Sequence, residues 1–108
     1  MKTTILALAL CASAPAFAKG NWKATHPRRA EVNQRLDNQR ARINEGEKSG
    51  KLSPEQAHEL HQDDRNIRAQ EREMAAQNGG HITKTEQRAL NQEENRESRK
   101  IYQEKHPQ

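Results

Sequence analysis

The chain has 108 residues, of which 31% are hydrophobic, 31% charged and 3% aromatic, and its formal net charge is +4 at neutral pH. A single cysteine excludes a disulfide framework within the chain. With no Gly-x-Ser-x-Gly stretch and too few apolar side chains for a dry pocket, the composition points away from an enzyme.

The first eighteen residues, MKTTILALALCASAPAFA, carry Lys2, an apolar run from Ile5, and Ala16 and Ala18 flanking Phe17. That is the charged start, apolar middle and A-x-A site of a secretory signal peptide, with cleavage expected after Ala18. The run is shorter than the roughly 20 apolar residues of a membrane span. Cys11 follows Leu10, which is too large for a lipobox. A periplasmic or secreted location is therefore expected. Cleavage leaves 90 residues without cysteine and removes one lysine, which gives a net charge of +3.

Residues 19–26 are expected to be a flexible basic segment. Together, residues 19–44 carry seven basic and two acidic groups. Lys19, Lys23, Arg28 and Arg29 thus offer an anionic envelope surface a place to dock, set against the plainer reading of a solvated basic stretch. Nucleic acid, the usual partner of such a stretch, is excluded as a partner if the chain is exported.

From residue 27 to 105 the chain is rich in Gln, Glu, Arg, Lys and Ala, all good helix formers, and no segment alternates like a strand. Pro27 opens a helix at about 27–47, in which Val32, Leu36 and Ile43 fall on a 4-3-4 pattern whose missing slot is Gln39. Gly50 suits the left-handed stop that follows. Ser53 and Gln56 then form an S-x-x-Q capping box with Pro54 at the first helical position, starting a helix at about 54–77. Its Leu60, Ile67 and Met74 recur every seven residues. Gly79-Gly80 stops that helix, and Thr83 with Glu86 opens another at about 84–105, whose seam is Leu90 and Ile101. Short connections make this an all-α, up-down-up antiparallel hairpin or three-helix bundle. The seam also holds Asp64, Glu71, Glu94 and Glu97, with Arg35, Arg40 and Arg42 on the first helix. An open, wet hairpin with charges paired across helices is the expected accommodation. The stripe of Leu60, Ile67 and Met74 is then left for a second copy or a protein partner to cover.

The two turn units also resemble halves of calcium loops at 45–56 and 75–86. In the second, Glu86 falls at the bidentate position, but Ala75, Gln77 and Gly79 offer no carboxylate where ligands belong; in the first, Gln56 takes the bidentate position. His58 and His61 lie three apart on one side of the second helix with Asp64 a turn further, a weak site for zinc or copper or simply a solvated face. No cofactor is implied.

LSPEQ at 52–56 resembles the L-[ST]-x-x-Q signature of the Spy/CpxP periplasmic chaperone and stress-sensor family, and ITKTE at 82–86 differs from it by Glu86. That resemblance implies a small, exported, all-helical dimer binding unfolded clients or sensor domains on a concave face. The wider pattern, from HPRRAEVNQRL through GGHITKTEQRALNQEEN to IYQEKH, is similar to a group of small exported bacterial helical proteins of unknown function. Two readings stay open: a non-enzymatic helical binding or accessory module, chaperone-like or stress-related, and a weak metal-binding protein.

Overall fold

The computed structural model describes residues 21–107, which are helical apart from two turns and short ends. The signal-peptide reading of residues 1–18, and Lys19, lie outside the described residues. Three long helices follow one another: α1 (Pro27–Lys48), α2 (Pro54–Gln77) and α3 (Lys84–Lys105). Each packs against the other two. Among the described residues, no helix is long and apolar enough to cross a membrane.

Local chemistry sets the boundaries. Ser53 Oγ accepts from Gln56 N at 3.1 Å while Ser53 N donates to Gln56 Oε1 at 2.9 Å. The same reciprocal pair joins Thr83 and Glu86 at 3.1 and 2.8 Å. Each box satisfies two backbone donors that a helix start leaves free. The exits use Gly50, at φ 81°, and Gly79-Gly80, at φ 64° and 94°, a region where a Cβ is strained. Ser53→Ala and Thr83→Ala are each expected to cost about 0.5–2 kcal/mol, measured as a lower urea midpoint by circular dichroism.

Gly46 has a different role. A Cβ there would lie 2.7 Å from Leu52 Cδ1 and 2.9 Å from its Cγ, so the missing side chain lets the turn fold back onto α1. Gly46→Ala should cost about 1–3 kcal/mol despite its better helix propensity, in the same urea assay.

Contacts fix how the helices lie. Arg29, Asp37 and Asn44 of α1 meet Glu71, Arg68 and His61 of α2, numbers falling along α2. Glu31, Gln39, Arg42 and Glu45 meet Gln87, Glu94, Ser98 and Lys105 of α3, numbers rising together. The apolar residues fall into two clusters. One holds Val32, Leu36, Ile67, Ala75, Ile82 and Leu90, with Met74 against it; the other holds Ile43, Leu52, Ala57, Leu60 and Ile101.

Two sequence expectations are corrected here. The stripe of Leu60, Ile67 and Met74 is not an open interaction surface. Leu60 and Ile67 are 0% and 4% exposed and Met74 is half-buried, because α1 and α3 cover them. The segment before Pro27 is not a loose arm over residues 21–26. Residues 21–25 are helical, Trp22 stacks on His26 at 4.7 Å, and His26 stacks on His81 of the second turn at 4.5 Å.

Candidate functional site

Between the two apolar clusters every helix contributes polar side chains to one level. Gln39 replaces an apolar residue between Leu36 and Ile43, Asp64 lies between Leu60 and Ile67, and Glu94 and Glu97 lie between Leu90 and Ile101. All four are turned inward: Gln39 is 5% exposed, Asp64 7%, Glu94 1% and Glu97 6%. Gln39 Nε2 donates to the Glu94 carbonyl at 2.7 Å, which ties α1 to α3 at this level.

The carboxyls themselves are poorly served. Both oxygens of Asp64, both of Glu94 and Glu97 Oε2 have no hydrogen-bond partner among the described residues. Cations stand close, but their hydrogen bonds are directed elsewhere. On α1, Arg35 binds Glu31 at 2.6 Å and Arg42 binds the Ser98 hydroxyl at 2.6 Å. On α2, Arg68 donates to Asp37 at 3.1 Å; on α3, Lys100 donates to Asp63 at 2.9 Å. The expected pairing of the seam acids with Arg35, Arg40 and Arg42 does not form, and Arg40 lies 3.6 Å from Asp37 on its own helix. A buried anion without donors is costly, so burial raises the pH at which these groups ionise. Burial, with the neighbouring Asp63 charge, pushes Asp64 up to about 7. Burial likewise raises Glu94 to about 8, with Glu31 and Asp64 adding repulsion against the attraction of Arg35 and Arg68. Glu97 rises to about 8 through burial and the charges of Asp63 and Asp64, opposed by Lys100.

Solvent borders this layer on two sides. A cleft of about 370 Å³ between α2 and α3 is lined by residues including Asp63, Ile67, Glu97 and Lys100. A second, of about 170 Å³ between α1 and α3, is lined by residues including Arg35, Gln39, Arg42 and Glu94. Glu97 thus reaches one cleft and Glu94 the other, while Asp64 lines neither.

The fourth seam acid behaves differently. Glu71, 1% exposed, receives two donors from Arg29, through Nε to Oε2 and through Nη2 to Oε1 at 3.2 Å. Arg29 Nη1 also donates to the Gly80 carbonyl at 3.2 Å, and its Cζ lies 5.4 Å from the Trp22 ring centre. Arg28 Nε donates to the Ile82 carbonyl at 2.9 Å. Of the cations expected to dock an anionic surface, Lys23 and Arg28 are exposed, Arg29 is half-buried and engaged with Glu71 and Gly80, and Lys19 lies outside the described residues.

The metal reading is corrected as well. His58 is exposed, His61 is half-buried with Nε2 2.9 Å from Asn44 Oδ1, and Asp64 faces the interior. Six residues on a helix turn a side chain to a different face, so these three do not converge. Among the described residues, no group of three or more His, Cys, Asp or Glu side chains is placed to hold a metal ion. In the calcium-like loops, the Gln56 side chain receives Ser53 N, and Glu86 Oε1 receives Thr83 N and Asn78 Nδ2.

The spacing in the sequence places all four seam acids correctly along the stripe. What it could not supply is which of them has a cation, because the partner of Glu71 is 42 residues away. Comparison with protein-family models, curated proteins and solved structures gives no match.

Proposed function

We propose that the chain is a non-enzymatic helical accessory module of the bacterial envelope, a three-helix up-down-up bundle whose packing is set by the protonation of its central acids. The observation that carries the reading is the layer of Asp64, Glu94 and Glu97, buried without donors between two apolar clusters. With protons on, the layer is neutral and the helices close over it. With protons off, like charges share a poorly solvated level, and the helices separate to admit water. An exported protein meets the pH of its surroundings directly, which gives such a device a use. The A-F-A site at residues 16–18 and the L-S-x-x-Q likeness at 52–56 support the exported, chaperone-like or stress-related setting. In that setting, opening would present the apolar clusters to a client.

A dye that fluoresces on apolar surface tests this. Its signal should rise as the folded protein passes from about pH 5 to about pH 8.5, and the rise should be much smaller in Glu94→Gln/Glu97→Gln, which leaves Asp64 alone to ionise. Equal signals at both pH values would contradict the reading.

A further inference from the structure

The acids and bases of α3 are segregated around its axis. Its exposed cations are Lys84, Arg88, Arg96 and Arg99, and none forms an ion pair with the described residues. At 3.6 residues per turn they share one sector of about 120°. All five acids of this helix, Glu86, Glu93, Glu94, Glu97 and Glu104, lie outside that sector, buried or half-buried. The exposed positions of α3 thus hold no carboxylate. Averaged over residues 45–108 the charge is slightly acidic, with eleven basic and thirteen acidic groups, so the face emerges only once the helix is placed. α1 and α2 differ, for each exposes carboxylates: Asp37, Glu45 and Glu47 on α1, and Glu55, Glu59 and Glu73 on α2.

We infer that the outer face of α3 is a docking surface for an anionic phospholipid bilayer. The four cations run along about 22 Å of a single straight helix, a line suited to a planar array of phosphates. Tyr102, 59% exposed and the one large exposed hydrophobic among the described residues, shares the sector with Lys84. A tyrosine at the edge of a basic face suits a headgroup interface, where one end of the ring is wet and the other apolar. Among the described residues, no apolar patch adjoins the cations to make the dry centre of a protein–protein contact. The contact is electrostatic and peripheral, and it weakens with salt. It uses surface residues alone, so its failure would leave the buried acid layer untouched, and the converse also holds.

Co-sedimentation of the full chain with vesicles of phosphatidylcholine and phosphatidylglycerol, against phosphatidylcholine alone, tests it. The neutral vesicles subtract any contribution of the apolar residues near the amino terminus. The expected result is a preference for the anionic vesicles at low salt that high salt abolishes. Arg88→Gln/Arg99→Gln should lower anionic partitioning roughly twenty-five-fold, at about fivefold per cation. Arg65→Gln/Arg72→Gln, an equal charge change on exposed positions of α2, should lower it far less. Circular dichroism confirms that both variants fold. Equal partitioning into both vesicle types would overturn the inference, as would equal losses in the two variants. Binding to polyglutamate or an oligonucleotide without binding to vesicles would assign the face to an acidic macromolecule and would overturn it too.

Discussion

Raising the pH from about 5 to about 8.5 is expected to lower the urea midpoint of the protein steeply, with a loss on the order of 2–5 kcal/mol over that window. The direction follows from the protons bound in each state. In the unfolded chain Asp64, Glu94 and Glu97 titrate near 3.8, 4.5 and 4.5, whereas in the folded chain they titrate at about 7, 8 and 8. Between those limits the folded state holds more protons than the unfolded one, so each rise in pH favours unfolding. Above the folded values the loss levels off. At the acid end the slope reverses. Burial pushes Glu31 up, but hydrogen bonds from Gln87, Asn91 and Arg35 outweigh it and hold Glu31 below 4.5. Its contribution is present above the unfolded value and lost as the pH falls through the folded one, so stability peaks in mildly acidic solution. Glu94→Met should lessen the alkaline limb, which Asp64 and Glu97 still drive, stabilising the protein by about 1–2 kcal/mol near pH 8.5 and hardly at all near pH 5, where the native group is already neutral. Urea melts of both proteins across the range, followed by helix dichroism, read both effects.

Arg29→Met is expected to cost about 3–5 kcal/mol at neutral pH, the largest loss from any single substitution considered. It leaves Glu71, 1% exposed, as a buried carboxylate without its cation, and it also deprives the Gly80 carbonyl of a donor. The variant separates the worth of the pair from the cost of an orphan. Arg29→Met/Glu71→Leu removes the orphan and should recover most of the loss, since two apolar residues replace a paired buried charge nearly neutrally. A double substitution no more stable than Arg29→Met would show that Arg29 acts through Gly80 and Trp22 instead. Denaturant melts of the three proteins and the parent form the required cycle.

What could be read from the sequence and what could not divide along a physical line. Helix ends are local events: Ser53 with Gln56, Thr83 with Glu86, and the glycines at 50, 79 and 80 each settle a boundary within four or five residues, and the structure ends its helices there. The seven-residue spacing likewise puts Asp64, Glu94 and Glu97 on the seam. Whether a seam opens to water or closes depends on three helices at once, and closure took Leu60 and Ile67 into the core. Arg29 looks like free surface charge in the sequence because its acceptors, Gly80 and Glu71, are more than forty residues away. Gly46 gave no signal either, since its constraint comes from Leu52 folding back over it.

The central claim is that protons, and not cations, neutralise the layer between the two apolar clusters. Carbon-detected NMR titration of the side-chain carboxyls, assigned by substitution of Asp64, Glu94 and Glu97 in turn, measures it directly. The account predicts midpoints near 7 for Asp64 and near 8 for Glu94 and Glu97. Midpoints for all three in the ordinary range of 3.8 to 4.5 would contradict it, for the carboxyls would then be charged and solvated and the layer open.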